Sequence, residues 1–279
     1  MLHNELERLL IATQLIKIHE QSLSVDQTPL IKSYQTFKTN HDTHIEYSIA
    51  LVETHDEQAI HVIFPGSNDW EDWKANFRFS LRAMIYKATQ QVTDFVASAL
   101  DIPLAQAYED ISLVVPHADK EGSEEWSDQR VHAGFMRSYH RIEDRAIDDL
   151  NDVLTRYPTL NVYGTAHSLG SAMLRFMLLD AQFKGLFKDR NLPILSTFGA
   201  PRMGNNAFCK ALHERLPHIT RVVHANDLVT RLPLPLIGYR HEIEQKLIGR
   251  KRFFRWYYKK DITDHFLESY MDTLTELIP

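Results

Sequence analysis

The feature that most constrains this fold is the direct passage from a strand-like to a helix-like stretch in NVYGTAHSLGSAML, residues 161–174. Only the residues around Ser168 separate the two stretches, so the turn between them must be sharp and must bring strand and helix close together. Such a turn accepts only small neighbours, and Ala166 and Gly170 stand two positions before and two after the serine. This pattern is typical of a nucleophile elbow, in which a strained turn presents a serine hydroxyl.

The rest of the chain predicts a sheet that suits such a turn. Strand-like segments cover residues 45–53, 60–64, 111–115, 160–163, 194–198 and 220–224, and the first two suggest a hairpin. An amphipathic opening helix near the N-terminus and helical patterns at 134–156, 169–181 and 205–216 accompany them. This α/β alternation predicts a mostly parallel central sheet covered by helices on both faces. Residues 236–247 and 252–258 are predicted to form a late hairpin around Gly249, and residues 263–277 a closing helix.

Composition narrows the class of protein. A chain of 279 residues with 44% hydrophobic and 24% charged residues predicts one globular domain over residues 1–279. A net charge of -6 argues against a general nucleic-acid binder, so no nucleic-acid partner is expected. Cys209 is the only cysteine, which excludes an intrachain disulfide and a cysteine-based zinc site.

The sequence also allows predictions about membrane contact and cellular location. No uncharged apolar run approaches the roughly 20 residues of a membrane-spanning helix, so no transmembrane segment is expected and lipid contact is predicted to be peripheral. Acidic residues interrupt any signal-peptide core at the N-terminus. A cytoplasmic location is therefore the default expectation, with signal-independent secretion left open.

A serine hydroxyl is a weak nucleophile near neutral pH and needs a base within hydrogen-bond reach. His265, in DITDHFLESY, lies where a loop passes into the closing helix, and it is the predicted base. Asp227, in VVHANDLV, follows a strand and precedes the histidine, as the acid that orients the imidazole should. Asp261 is the alternative acid, while Asp264 is adjacent to His265 in sequence and is expected to point elsewhere. This chemistry requires no cofactor and no metal.

Other histidines have simpler interpretations. His224 and His241 are predicted to be hydrogen-bonded structural residues. His41 and His44, in HDTH, have the spacing of a metal pair, but a solvated loop is favoured.

Six blocks in order resemble the class 3 lipases, the family of the fungal triacylglycerol lipases. They are FPGSNDW (64–70), VHAGF (131–135), AHSLGSA (166–172), FGAPRMGN (198–205), RVVHANDLVTRLP (221–233) and DHFLESY (264–270). The likeness runs from about residue 60 to about residue 270, and it departs from the family pattern at Pro65, Ala166 and Ser171. It implies an α/β-hydrolase fold and ester hydrolysis, with Ser67 and Leu169 supplying the oxyanion donors.

Two aromatic segments have two interpretations each. Trp70, Trp73 and Phe77 have the i, i+3, i+7 spacing of one helix face, where class 3 lipases carry a mobile lid. A permanently packed helix that lines the acyl pocket explains them equally well. Residues 249–261, GRKRFFRWYYKKD, mix basic and aromatic side chains and could contact an anionic membrane, although a packed hairpin strand is favoured.

The leading hypothesis is a serine carboxylic ester hydrolase that acts on acylglycerol-type lipid esters through an acyl-enzyme. A phospholipase A1 or a short-chain esterase would use the same three residues. A different class, a non-catalytic interaction protein on the same fold, would need none of them.

Overall fold

The computed structural model describes residues 5–40, 45–66, 113–114, 128–250 and 263–278. The strands in chain order are β1 (Ile31–Asn40), β2 (Tyr47–Thr54), β3 (Gln58–Phe64), β4 (Leu113–Val114), β5 (Val131–His132), β6 (Val162–His167), β7 (Ile194–Phe198), β8 (Ile219–His224) and β9 (Gln245–Ile248). The helices are α1 (Glu5–His19), α2 (Ala133–His140), α3 (Glu143–Arg156), α4 (Gly170–Phe183), α5 (Asn206–Arg215) and α6 (Leu267–Leu277).

Within the described ranges, seven strands form one sheet in the order β1-β2-β3-β6-β7-β8-β9. The pairs β1–β2 and β2–β3 are antiparallel, which confirms the early hairpin. The other four pairs, from β3 to β9, are parallel. The loops that follow β3, β6, β7 and β8 therefore meet at one edge of the sheet, where ligands bind in open α/β sheets.

Helices cover both faces of this sheet, as predicted. Along β2, Ile49 belongs to one apolar cluster and Ala50 to the other, because successive side chains of a strand point to opposite faces. The first cluster takes in the apolar sides of α2 to α5, and the second takes in α1 and α6. The sheet draws its strands from residue 31 to residue 248, which supports our proposal that the chain forms one domain.

The opening helix is buried more completely than an amphipathic surface helix would be. All eight residues from 9 to 16 in α1 are buried, including the polar Thr13 and Gln14. Lys17, near the end of α1, forms an ion pair with Glu268 of α6. The helix thus packs against both the sheet and the closing helix, so the prediction of an amphipathic surface helix is wrong. No helix in the described ranges combines the length and apolar character needed to cross a membrane.

The late hairpin predicted at 236–247 and 252–258 can be compared with the structure only in its first arm. There, residues 235–237 form a 3-10 turn, and β9 is the only strand of several residues in the described part of this segment. Strand β9 runs parallel to β8, and Ile248 is buried in the second cluster. Residues 252–258 lie outside the described ranges.

Three further elements differ from the predictions. Strand β1 was not predicted, because it is an edge strand with buried residues only at its two ends. The helix expected over 134–156 is divided at Arg141 and Ile142, where a tight turn buries Ile142. Of the segment predicted as a strand at 111–115, the described residues 113–114 form β4, which pairs with β5 rather than with the main sheet.

Candidate active site

The turn between β6 and α4 has the geometry that its small residues predicted. Ser168 has a φ of 52°, a left-handed conformation that non-glycine residues rarely adopt. A Cβ on Gly170 would lie 2.2 Å from the carbonyl oxygen of Pro65, so any side chain there would collide with the backbone after β3. Ala166 is fully buried within the first apolar cluster, which shows that its single methyl group is accommodated.

Three residues from different loops meet at this turn. The Ser168 Oγ lies 2.9 Å from His265 Nε2, and His265 Nδ1 lies 2.8 Å from Asp227 Oδ2. A carboxylate can only accept, so Nδ1 carries the proton and donates it to Asp227, which leaves Nε2 to accept from the serine hydroxyl. The structure therefore brings together the three residues predicted as nucleophile, base and acid, in the hydrogen-bond order that nucleophilic catalysis requires.

The carboxylate of Asp227 is fully buried and has three donors. Its Oδ2 accepts from His265 and from the Tyr270 hydroxyl at 2.6 Å, and its Oδ1 accepts from the Val229 N–H at 2.9 Å. Burial alone would raise the pKa of Asp227, but the charge of His265 and these hydrogen bonds outweigh burial and lower that pKa. The acid is thus held as a carboxylate beside the histidine.

Tyr270 and His167 are supporting residues to which sequence reasoning assigned no role. Burial, followed by the nearby charge of His265, lowers the pKa of His167 to about 3, so its ring is neutral. Its Nε2–H donates to the backbone carbonyl of His265 at 2.8 Å. Both residues lie inside blocks already singled out, AHSLGSA and DHFLESY, and only their position in those blocks hinted at a role.

Leu169 begins the turn into α4, and its N–H has no hydrogen-bond partner among the described residues, as expected at the start of a helix. The Leu169 N–H is therefore available as a hydrogen-bond donor beside Ser168. Gly66, after β3, comes so close that an added Cβ would lie 2.8 Å from His167 Nδ1 and 3.7 Å from Ser168 Cβ. Ser67 itself lies outside the described residues.

Several other predictions also fall outside the described ranges: those on Trp70, Trp73, Phe77, His41, His44, Asp261 and residues 251–261. Within the described ranges, no group of three or more histidine, cysteine, aspartate or glutamate side chains is placed to hold a metal ion.

The remaining predictions, on two histidines and one aspartate, can be compared directly with the structure. His224 is hydrogen-bonded to Thr273 at 3.1 Å, and His241 to the carbonyl of Thr230 at 2.7 Å, which confirms structural hydrogen bonds for both. Asp264 points away from His265, as expected, and accepts from the Asn226 N–H at 3.2 Å. This hydrogen bond connects the loop that carries Asp227 to the loop that carries His265.

The parallel sheet, the strained serine turn and the order serine, aspartate, histidine together define an α/β-hydrolase fold. Residues 61–236 match the family of class 3 lipases, and the chain belongs to that family.

Relatives include lipases, and solved structures share the fold of this chain. A lipase of Rhizopus niveus is 34% identical over 113 residues, which cover 40% of this chain and 29% of the relative. A chloroplastic phospholipase A(1) of Arabidopsis thaliana is 29% identical over 123 residues, covering 42% of this chain and 27% of the relative. The fold of Rhizomucor miehei triacylglyceride lipase is similar, with a TM-score of 0.62 at 18% identity over 95% of this chain and 94% of that one.

The expected cytoplasmic location is wrong. A secreted mono- and diacylglycerol lipase of Fusarium solani is 32% identical over 111 residues, covering 40% of this chain and 32% of the relative. A secreted relative of this kind contradicts the default drawn from the N-terminal residues. The residues of a folded domain do not by themselves reveal the compartment, because secretory signals are absent from mature proteins in general.

Proposed function

We propose that this chain is an extracellular serine carboxylic ester hydrolase that acts on acylglycerol-type lipid esters. The observation that carries the proposal is the continuous hydrogen-bonded series from Ser168 through His265 to Asp227, each side chain almost fully buried. The matched stretch covers less than a third of the Rhizopus niveus lipase, and family membership supports the activity rather than establishing it.

The geometry suits acyl transfer through a covalent intermediate. Ser168 Oγ attacks the acyl carbonyl carbon while its proton passes to His265 Nε2, and Asp227 stabilises the imidazolium that forms. The carbonyl oxygen becomes an oxyanion, for which the Leu169 N–H and the proposed donor Ser67 provide hydrogen bonds. The imidazolium then protonates the leaving alcohol, and water activated by the same histidine hydrolyses the acyl-enzyme.

Replacing the nucleophile tests this assignment. Ser168→Ala should fold normally and lose nearly all hydrolysis of a soluble p-nitrophenyl ester, because the covalent route is deleted. A fluorophosphonate should label the parent protein and leave the variant unlabelled. Asp227→Asn should keep the fold and lose on the order of 10³ to 10⁴ in rate, since an amide favours the wrong histidine tautomer.

Activity of Ser168→Ala within tenfold of the parent would show that another residue is the nucleophile. An absence of labelling in the parent would favour the non-catalytic interaction protein. The buried, fully hydrogen-bonded triad argues against that class, because an interaction surface needs none of the three residues.

A second candidate, phospholipase A1 activity, is favoured by the Arabidopsis thaliana relative of that name. The serine chemistry is the same for both, and the shape of the pocket decides between them. Initial rates on mono-, di- and triacylglycerols and on a diacyl phospholipid, all with the same acyl chain, distinguish the two. We expect faster hydrolysis of the acylglycerols, and a phospholipid rate above all three would select the second candidate.

We also propose that Trp70, Trp73 and Phe77 contact lipid substrate, from their helical spacing directly after the oxyanion segment. If they anchor the protein at an interface, the rate should climb steeply once substrate passes its solubility limit. Trp70→Ser with Trp73→Ser should then reduce activity on an emulsion more than activity on a dissolved short-chain ester. Equal losses on both substrates would favour a permanently packed helix.

A further inference from the structure

A cavity of about 210 Å³ is lined by Asp227, the candidate triad acid, and does not include Ser168 in its lining. It is more than ten times the roughly 10–15 Å³ that one water requires. Six of its lining residues are polar: Arg202, Asp227, Thr230, Arg231, His241 and Gln245. The ester hydrolysis proposed above uses only Asp227 among them, so the other five require a separate explanation.

The charges at this cavity are predominantly positive. Arg202 has no acidic partner among the described residues, and its Nη1 donates only to the backbone carbonyls of Arg231 and Pro233. Burial, and then the charges of Arg240 and Arg231, lower the pKa of Arg202, as expected for a cation held among cations. The Arg231 side chain is exposed and forms no ion pair in the described part of the chain.

The nearby carboxylates are already engaged. Asp227 accepts from His265, Tyr270 and the Val229 N–H. Glu242, next to His241 in sequence, lies 2.7 Å from Arg175 in an ion pair whose side chains are almost completely buried. Neither group is available to balance Arg202 and Arg231, so the cavity favours an anion from solution.

His241 adds an acceptor to this cationic site. Its Nε2–H donates to the Thr230 carbonyl at 2.7 Å, and its Nδ1 is buried with no hydrogen-bond partner in the described ranges. Burial lowers the pKa of His241, as do the charges of Arg221, Arg202 and Arg175, so the ring is neutral and Nδ1 holds a lone pair. The lone pair on Nδ1 can therefore accept a hydrogen bond from an O–H group of a ligand.

We propose that this cavity binds a phosphate group that retains a P–O–H proton. Arg202 and Arg231 hold its anionic oxygens, because guanidinium groups match the oxygens of phosphate. The hydroxyl of the phosphate donates to His241 Nδ1. Inorganic phosphate and a lipid phosphate monoester share this chemistry.

Titration calorimetry without substrate tests the proposal, so its outcome is independent of esterase activity. At about pH 7.5 and constant ionic strength, inorganic phosphate should bind roughly tenfold or more tightly than sulfate, which has the same shape but no hydroxyl. Glycerol 3-phosphate loses its hydroxyl proton above about pH 6 and should gain affinity when the pH is lowered to about 5.5. At that pH, tighter binding of glycerol 3-phosphate than of inorganic phosphate identifies the lipid source, and the reverse identifies free phosphate.

Matched variants locate the site. Arg231→Met removes an exposed side chain and should weaken phosphate binding by roughly tenfold or more without disturbing the fold. Arg215→Met makes the same substitution at the end of α5, near the start of β8 and away from the cavity at the end of that strand, and it should leave binding unchanged. Arg202→Lys keeps the charge but loses the planar fork, so it should bind with intermediate affinity.

Three results would overturn the proposal. They are an absence of saturable phosphate binding, equal affinity for sulfate and phosphate, and unchanged phosphate affinity in Arg231→Met. The first would mean that the cavity holds only water.

Discussion

At the residue scale, the hydroxyl of Tyr270 shares one oxygen of Asp227 with the catalytic histidine candidate. Tyr270→Phe removes that donor from a buried carboxylate. A hydrogen bond to a charged group contributes about 1.5–3 kcal/mol, so kcat/KM on a soluble ester should fall by roughly tenfold to a hundredfold. The loss arises because a less stabilised Asp227 orients His265 less well.

Tyr139→Phe is the matched control for this prediction. Tyr139 is buried, and its hydroxyl donates to Asp180 at 2.9 Å, joining α2 to α4 away from the triad. We expect the two variants to lose comparable stability in urea unfolding and only Tyr270→Phe to lose activity. A parallel loss of activity in both would mean that the Tyr270 hydroxyl contributes to the fold rather than to the site.

At the scale of elements, the contact between α4 and the end of β3 sets the position of the serine. In Gly170→Ala, the new Cβ would meet backbone oxygens of Pro65 at 2.2 Å and Phe64 at 2.7 Å, and neither can rotate away. The helix would have to move, so we expect a destabilisation of about 2–4 kcal/mol together with a large loss of kcat. Unfolding in urea and single-turnover kinetics measure the two effects.

Gly164→Ala, in strand β6 before the serine turn, provides the comparison. Its Cβ would lie 3.0–3.1 Å from the side-chain ends of Leu174 and Leu178, which can adjust. A cost of about 1 kcal/mol is expected, with activity largely retained. Equal costs for the two substitutions would contradict the rigid-backbone explanation.

At the scale of the whole molecule, buried histidines make stability depend on pH, and three of them illustrate the effect. His61, His132 and His167 lie in different parts of the fold, and burial is the first cause that lowers the pKa of each to about 3. In the unfolded chain they take up protons below the ordinary value of 6.5. Between about pH 3 and pH 6.5 the unfolded state binds more protons than the folded state. The free energy of unfolding is therefore highest above pH 6.5 and falls as the pH is lowered.

Each such histidine should contribute up to about 1.4 kcal/mol of lost stability per pH unit. Urea unfolding between about pH 7 and pH 5 should show this slope. His61→Phe keeps an aromatic ring beside Tyr163, and it should reduce the slope of unfolding free energy against pH by the contribution of one histidine. His213→Gln, on the exposed side of α5, should leave the slope unchanged. An unaltered slope in His61→Phe would show that His61 is protonated in the folded state.

Local patterns in the sequence were sufficient to predict the elbow, most of the parallel part of the sheet and the three residues that meet there. The turn at Ser168 needs small neighbours within two positions, and the alternation of strands and helices has its own periodicity, so both are visible along the chain. Ser168 and Asp227 each follow a predicted strand, and His265 lies at the start of the predicted closing helix. The topology of the sheet then brings those loops to one edge.

Only the tertiary structure decided the features that depend on distant partners. β1 is a strand because its backbone pairs with β2, although its side chains are mostly polar. β9 runs parallel to β8 and buries Ile248, a pairing that the sequence alone did not predict. Tyr270 reaches Asp227 across 43 positions, and His167 reaches the backbone of His265 across 98. Hydrogen bonds and buried contacts between remote segments leave no periodic trace in a sequence, because they depend on where the completed fold places each group.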